Sequence, residues 1–414
     1  MGPSGVTAEA LVRPDRLSAR LQALAMAGRE SGGGISRFAF TPAHTEACLL
    51  VAGWMEEAGL TVWIDAAGNL IGATEGEDGP VLAAGSHLDT VPQGGLYDGA
   101  LGVVAAVECA QALRDAGVRL RHPFAALGFA DEEGYTFGIG CLTSRHLVGE
   151  LPPARMAEIH DRDGRTLLQR VDAWRCPLPR RPAPRLAAFL ELHVEQGPVM
   201  ERGGLEVAAV TLIVGISRTT VTFVGEANHA GTTPMDARHD ALAAGARLVL
   251  AVRELAVTAG DAVGTVGQLE VRPGATNVVP GVAQLRVELR SGSEEQLRRL
   301  RAAVEEAAQR SAAAEGVRVS VAPWHQVPPV RLDERVVALI LEEAGRRGLR
   351  AARLHSWAGH DAKVLAPRLP VGLLFVPSRG GVSHSPEEFT APGQVAGGAQ
   401  VLLDTLRRLD RVLD

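Results

Sequence analysis

Short apolar runs with the pattern of strands alternate with stretches of helical periodicity through the opening third of the chain. Strands are predicted over 60–64, 69–73, 81–86 and 124–130, and helices over 45–58 and 100–113. Alternation of this kind is typical of βαβ units, in which helices connect parallel strands and cover both faces of the sheet. The sequence therefore predicts an α/β fold with a mixed, largely parallel sheet flanked by helices.

The pattern changes near Gly215, where a second group of elements begins. Strands are predicted over 217–224, 262–271, 282–289 and 318–322, and helices over 236–255 and 293–314. This β-α-β-β-α-β order describes a ferredoxin-like α+β sandwich. Elements predicted over 332–345, 361–366, 371–376 and 393–409 then return to the first pattern. We therefore predict a discontinuous first domain, 1–214 and 323–414, interrupted by an inserted domain, 215–322.

Histidine and carboxylate side chains follow the strand-like runs of the first domain, where open α/β sheets place their ligand sites. They are His87, Asp89, Asp98, Asp131, Glu132, Glu133, His193 and His384. A lone His-x-Asp sequence or a Glu-Glu pair more often marks a surface or a satisfied core group, but so many together at strand ends favour a metal site. The set suits a two-metal hydrolase, in which a carboxylate such as Asp98 bridges two cations about 3.5–4 Å apart.

Local spacing suggests how some of these side chains act. Asp89 lies two residues after His87, so in an extended segment both point the same way and Asp89 can accept the other ring N–H of the histidine. Glu132 and Glu133 are adjacent, so in extended geometry one would bind metal while the other faces the substrate. Because no ligand is a thiolate, the site would suit zinc, manganese, cobalt or nickel.

Composition argues against several other classes of protein. The chain has 414 residues and a net charge of −6, which gives no indication of nucleic-acid binding. Lys363 is the only lysine, so Schiff-base chemistry has one candidate and a P-loop has none. Four widely spaced cysteines without a C-x-x-C sequence indicate a reducing compartment. With no signal-like start and no apolar run of about 18 residues, we expect a cytoplasmic protein without a membrane span.

Seven motifs in order give the chain a resemblance to a known family. They are GSHLDT (85–90), GGLYDG (94–99), DEEG (131–134), HVEQGP (193–198), HAGTTPM (229–235), GHDA (359–362), and VPS (376–378) with SH (383–384). The chain resembles the amidase/hydantoinase/carbamoylase family of dinuclear metallopeptidase-like amidohydrolases. That family includes N-carbamoyl-L-amino acid hydrolases, allantoate amidohydrolases and β-ureidopropionases, and the resemblance covers nearly the whole length.

The resemblance implies two divalent metal ions per subunit and a general base. One ion would be held by His87, Asp98 and His193, and the other by Asp98, Glu133 and His384. Glu132 would take a proton from the attacking water and later deliver it to the departing nitrogen. Asp89 would support catalysis by orienting His87.

The resemblance also implies residues that bind the substrate. His229 would stabilise the oxyanion, in its own or in the partner subunit's active site, although it could instead only cap its turn. Asn277 and Arg290 would bind the substrate carboxylate, Arg290 through a two-pronged pair. The pocket near the carbamoyl end would be lined by Gln196, Gly359 and His360. His360 could alternatively cap the helix that begins at the next residue.

By resemblance, the chain is expected to be a homodimer that hydrolyses N-carbamoyl-L-amino acids to the amino acid, ammonia and carbon dioxide, with the inserted domain serving as lid and dimerisation domain. The alternatives are allantoate amidohydrolase, β-ureidopropionase, a dipeptidase or acylamino acid hydrolase, and, outside enzymes, a non-catalytic ligand-binding relative. Two departures from the family pattern concern the substrate. Glu288 occupies the position at which the family commonly has the Asp of an Asp-x-Arg sequence. Tyr135-Thr136-Phe137 replaces a Ser-Arg-Phe sequence that is frequent in the family.

Overall fold

A computed structural model describes residues 9–74 and 79–413 of the chain. The chain divides into two compact units, the first comprising Met1–Thr211 and Arg331–Asp414 and the second Leu212–Val330. The second unit extends beyond the predicted 215–322 at both ends. At its carboxyl end, a strand over His325–Val327 pairs with the unit's own sheet. This strand was not predicted, because prolines surround it in the sequence.

The strands and helices alternate along the chain much as the sequence predicts. The strands are β1 (Thr61–Ile64), β2 (Leu70–Ala73), β3 (Val81–His87), β4 (Phe124–Phe129), β5 (Leu186–Val194), β6 (Val207–Ile213), β7 (Gly215–Val224), β8 (Asn228–His229), β9 (Ala262–Arg272), β10 (Val278–Val279), β11 (Val282–Ser291), β12 (Arg318–Val321), β13 (His325–Val327), β14 (Val330–Arg331), β15 (Ala351–Ser356) and β16 (Val371–Val376). The helices are α1 (Pro14–Leu24), α2 (Pro42–Glu57), α3 (Ala100–Asp115), α4 (Pro153–Met156), α5 (Leu167–Ala173), α6 (Val199–Gly203), α7 (Ala241–Ala259), α8 (Glu294–Glu315), α9 (Glu334–Arg346), α10 (Asp361–Leu365) and α11 (Pro392–Val412).

The main sheet of the first unit has the order β1-β2-β4-β3-β5-β16-β6-β14, with β15 also paired to β6. Its centre, β4-β3-β5-β16, is parallel, and antiparallel strands β2 and β6 adjoin it on either side. Every residue of β3, β4 and β16 is buried, because helices such as α3, α9 and α11 pack on the sheet. The predicted mixed, largely parallel sheet flanked by helices is confirmed.

The carboxyl ends of the central strands bring the predicted ligands to one edge of this sheet. In the parallel register His87, at the end of β3, is paired with Phe129, at the end of β4, and His193 of β5 is paired with Phe375 of β16. The Glu132–Glu133 segment follows β4 after a few residues. Side chains far apart in the chain therefore start from neighbouring strand ends.

Two glycines allow α3 to begin directly beside this edge. Gly99, the N-cap of α3, has φ +64°, and a Cβ there would lie 2.4 Å from the His87 ring. A Cβ at Gly102 would lie 2.5 Å from the carbonyl oxygen of Leu192. Both contacts are closer than a side chain permits, so the glycines let Asp98 approach the histidines from the start of the helix.

The second unit is an antiparallel sheet with the order β12-β7-β11-β9, with β13 also paired to β7. Together with α7 and α8 it follows the predicted β-α-β-β-α-β sequence of a ferredoxin-like sandwich. Its core is a cluster that includes Phe223, Leu248 and Leu285. Helix α7 begins at Ala241, later than predicted, because the Asp240 side chain accepts the N–H groups of Leu242 and Ala243 as N-cap.

Among the described residues, no helix combines the length and apolar character that a membrane span requires.

Candidate metal centre

Three histidines surround the carboxylate of Asp98 and divide between its two oxygens. Oδ1 lies 3.3 Å from His87 Nε2 and 3.2 Å from His193 Nε2. Oδ2 lies 3.2 Å from His384 Nε2. A carboxylate that bridges two metal ions presents one oxygen to each, and this is how Asp98 is placed.

Among the described residues, four overlapping groups of side chains could hold a cation, and two of them coincide with the predicted sites. In both groups the candidate ligand atoms lie within 4.8 Å of one another, the first group being His87, Asp98 and His193, and the second Asp98, Glu133 and His384. Buried Glu133 Oε1 accepts no hydrogen bond within the described residues and lies 3.4 Å from His384 Nε2. Imidazole and carboxylate ligands suit divalent transition metals, so the donor set fits the predicted ions.

The charges at this edge favour the binding of cations. Burial opposes ionisation of Asp98, but its contacts with His193, His384 and His87 hold its pKa well below the ordinary value. Burial, with Asp98 and Glu132 nearby, raises the pKa of Glu133 to about 9. The hydrogen bond to Asp98 raises the pKa of His384 to about 9, burial opposing it. Without cations Glu133 and His384 therefore carry protons at neutral pH, and a divalent ion would displace those protons.

Asp89 is buried beside His87, but it does not make the contact predicted from the His-x-Asp spacing. His87 Nδ1–H donates to the backbone carbonyl of Asp89 at 2.9 Å, whereas the carboxylate Oδ1 of Asp89 lies 3.7 Å from the same nitrogen. The carboxylate instead accepts the backbone N–H groups of Glu132, at 3.1 Å, and Glu133, at 3.2 Å. Asp89 therefore connects the end of β3 to the glutamate pair.

The prediction that Glu132 and Glu133 face opposite ways is wrong. The chain bends at these residues instead of remaining extended, because both N–H groups turn towards Asp89. Oxygen atoms of both glutamates come within 4.8 Å of a ring nitrogen of His87, with Glu132 Oε2 at 3.9 Å from Nε2. Both carboxylates thus reach the same centre.

Gln196, His360 and Gly359 also lie at this edge. Gln196 Nε2 donates to Asp98 Oδ2 at 2.8 Å. A Cβ at Gly359 would lie 3.7 Å from Glu132 Oε1. His360 packs edge-on against His193, with ring centroids 4.6 Å apart, and its Nε2 lies 2.8 Å from Ser356 Oγ. Its side chain does not cap α10, so the alternative helix-capping role is wrong.

The other three predicted residues belong to the second unit. β8 pairs with β10, and the Asn277 carbonyl accepts the N–H of Ala230, so His229 and Asn277 share one small ribbon. The exposed His229 ring accepts two backbone N–H groups through Nδ1, which leaves the proton of the neutral ring on Nε2. Arg290 lies on β11, and its Nε donates to Glu288 Oε1 at 2.7 Å.

Three buried side chains at the centre were missed by sequence reasoning. Glu191 accepts hydrogen bonds from Ser86 Oγ and the Ala362 N–H. Glu388 accepts the N–H groups of Tyr97 and Asp98 and the hydroxyl of Ser383. The Cys141 thiol donates to Glu132. The one signal available was a lone carboxylate within an apolar strand, which applies to Glu191 alone.

Comparison with known proteins agrees with this geometry. The sequence profile of peptidase family M20/M25/M40 matches residues 83–408, a range that contains all five predicted metal ligands. The chain belongs to peptidase family M20/M25/M40. The ligand groups and the family together indicate divalent metal binding.

Two relatives that match nearly the whole chain are amidohydrolases. An N-carbamoyl-L-amino acid amidohydrolase of Geobacillus stearothermophilus is 40% identical over 96% of this chain and 99% of its own. An allantoate amidohydrolase of Bacillus subtilis is 33% identical over 93% and 95%. A crystal structure of a hydantoinase/carbamoylase family amidase from Burkholderia multivorans superposes with a TM-score of 0.89, at 32% identity, over 96% and 98% of the two chains. The resemblance inferred from the motifs is confirmed.

Proposed function

We propose that this M20-family chain hydrolyses the linear ureido C–N bond of an N-carbamoyl-L-amino acid and releases the amino acid, ammonia and carbon dioxide. The proposal rests on the position of Asp98, whose two oxygens each face one of the two groups of predicted ligands, with the carboxylate of Glu132 beside them. Near-full-length identity of 40% to an N-carbamoyl-L-amino acid amidohydrolase supports this choice of substrate.

The proposal includes two divalent cations, zinc, manganese, cobalt or nickel. His87, Asp98 and His193 would hold one, and Asp98, Glu133 and His384 the other. Bound there, the cations would polarise the scissile carbonyl and make water easier to deprotonate. The His384 side chain is 47% exposed, whereas those of His87 and His193 are buried, so the second group lies on the side from which a substrate can enter.

Glu132 is the proposed general base. Its carboxylate would take a proton from the attacking water and deliver it to the departing nitrogen. Support comes from its 8% exposure and from its place beside His87 and Glu133, one predicted ligand of each ion. Asp89 would keep Glu132 in place through the backbone bond described above. A purely ligand-binding relative would have no need of this carboxylate, which favours catalysis.

Substrate recognition is proposed for Gln196, Gly359 and His360 in the first unit and for three residues in the second. His229 would stabilise the developing oxyanion, since the tautomer with the proton on Nε2 offers a donor from an exposed ring. Asn277 and Arg290 would bind the substrate carboxylate. Arg290 is already held by Glu288, so a substrate carboxylate would compete for or share that guanidinium.

We also propose a homodimer formed by the second unit, the predicted lid and dimerisation domain. β9 is the last strand of its sheet, and such an edge can pair with a second chain. Apolar side chains on β9 and the adjoining α7 are exposed, namely Leu250, Val257, Val263 and Leu269. Leu250→Glu is expected to give a monomer in sedimentation analysis, whereas Leu49→Glu, at an exposed leucine of the first unit, is expected to remain dimeric. A dimer in both variants would rule out this surface.

The four free cysteines, three of them buried, support a reducing, cytoplasmic location.

The proposed activity is tested by measuring ammonia release from N-carbamoyl-L-amino acids, allantoate and β-ureidopropionate, with dipeptides assayed in parallel. We expect the highest kcat/KM with an N-carbamoyl-L-amino acid. Allantoate is the second candidate, because a relative of similar length is an allantoate amidohydrolase. Cleavage of dipeptides alone would refute the proposal.

A further inference from the structure

Cys141 contacts the proposed general base through both its backbone and its side chain. Its N–H donates to the carbonyl oxygen of Glu132 at 2.7 Å, and its thiol donates to Glu132 Oε1 at 2.9 Å. The next residue continues the contact, since the Leu142 N–H donates to the Asp131 carbonyl at 3.3 Å. Two backbone hydrogen bonds therefore hold the segment after β4 against residues 141 and 142.

We propose that Cys141 is a positioning residue for catalysis, whose thiol holds Oε1 of Glu132 so that Oε2 is directed towards the metal centre. This inference rests on the proposed function, in which Glu132 is the general base. Oε2 is the oxygen that lies 3.9 Å from His87 Nε2. The two carboxylate oxygens thus have different partners, one within the protein and one at the reacting edge.

A thiol is suited to this position because it carries one proton and stays uncharged. The side chain is buried, with 7% exposure, and an ordinary thiol, with a pKa of about 8.5, is mostly protonated at neutral pH. A single S–H donor can bind Oε1 without competing for the proton that Glu132 must carry. A cationic partner would instead form an ion pair with the carboxylate and make it a weaker base.

The backbone at Cys141 does not favour a side chain. Its φ is +52°, a left-handed conformation that glycine adopts most readily. A glycine would preserve the turn and its backbone bond to Glu132 but would provide no donor for Oε1. The position therefore offers a substitution that removes the thiol without opposing the backbone conformation.

Four variants test the role, with kcat and KM measured for ammonia release and metal content measured on each purified dialysed protein. We expect Cys141→Ala and Cys141→Gly to lower kcat roughly ten- to a hundredfold, the range typical of lost supporting hydrogen bonds, with unchanged KM and metal content. Cys141→Ser, whose hydroxyl can donate in the same direction, is expected to recover most of the activity. Cys109→Ala removes another buried thiol, which lies near the Ala399 carbonyl on α11, and is expected to keep the wild-type kcat.

The outcomes separate this inference from the proposed function. A wild-type protein that hydrolyses nothing in the substrate panel would overturn the proposed function itself. An active wild-type protein whose Cys141→Gly and Cys141→Ala variants keep full kcat would overturn the role of Cys141 alone. A Cys141→Ser variant that is folded and as slow as Cys141→Ala would do the same, because it would show that the donor is not what matters. Loss of metal along with kcat would assign Cys141 to the structure of the metal centre instead.

Discussion

Replacing Glu388 with alanine is expected to weaken metal binding although Glu388 is not a predicted ligand. Its Oε1 accepts the N–H groups of Tyr97, at 2.7 Å, and of Asp98, at 3.0 Å. Its Oε2 accepts the hydroxyl of Ser383 at 2.7 Å. One buried carboxylate therefore holds the backbone of Asp98, the predicted bridging ligand, next to the segment that carries His384.

The size of the effect follows from what the substitution leaves behind. Two buried N–H groups would lose their acceptor, and each such loss costs about 1–3 kcal/mol. Burial and the nearby Asp98 raise the pKa of Glu388, so keeping its carboxylate ionised costs some free energy of folding. Removing the carboxylate recovers part of the free energy that is lost with the hydrogen bonds. We therefore expect the free energy of unfolding to fall by about 2–3 kcal/mol, near the lower end of that sum. Supporting residues of this kind typically change metal affinity by ten- to a hundredfold, or about 1.4–2.7 kcal/mol.

Metal affinity is measured by competition with a chromophoric chelator, for Glu388→Ala, Glu388→Gln and the exposed neighbour Glu387→Ala. Glutamine keeps an acceptor for the two N–H groups and a donor for Ser383, so we expect it to bind metal nearly as well as the wild type. Glu387→Ala is expected to have no effect. Wild-type affinity in Glu388→Ala would refute the reasoning, and equally weak binding in Glu388→Gln would show that charge, not geometry, accounts for the effect.

Three further predictions concern the same centre. Gly99→Ala should abolish metal binding, because its Cβ would lie 2.4 Å from the His87 ring at a residue with φ +64°; isothermal titration with wild-type affinity would contradict this. Metal affinity should fall as the pH is lowered from about 9. The reason is that the pKa values of Glu133 and His384 are both about 9 without metal, so the cation must displace their protons. A pH-independent affinity with no proton release would contradict this prediction. Prolonged dialysis against a chelator should abolish ammonia release, and addition of zinc, manganese, cobalt or nickel should restore it to differing extents; full activity in metal-free protein would exclude the proposed chemistry.

The sequence allowed the main sheet and the cluster of histidines and carboxylates at its edge to be predicted because both depend on local signals, whereas the division of that cluster into two ligand groups is what the family resemblance implies. Runs such as β3 and β4 are continuously apolar, as strands covered on both faces must be, and each ends next to a histidine or a carboxylate. Parallel strands then bring those ends to one edge, so the closeness of His87 and His193 follows from topology. The ferredoxin-like order of the second unit was equally readable from the order of its elements.

Contacts that depend on the exact path of a loop could not be predicted in the same way. The bend at Glu132 and Glu133 arises because Asp89, more than forty residues earlier, accepts both N–H groups, and no local pattern specifies that. Glu388 reaches Asp98 across 290 residues of sequence. The sequence gives no sign of the role of Cys141 either, since its hydrogen bond depends on a turn with positive φ. Side chains that support the ligands are thus harder to read than the ligands themselves.

The most direct test of the central claim is the metal content and turnover of Glu132→Gln. Glutamine has nearly the same shape as glutamate but cannot accept the proton of the attacking water. We predict that ammonia release from N-carbamoyl-L-amino acids becomes undetectable while the metal-to-protein ratio, measured by plasma mass spectrometry, equals that of the wild type. Loss of the metal ions together with activity would contradict this assignment and make Glu132 a ligand, and retained turnover would show that another group is the base.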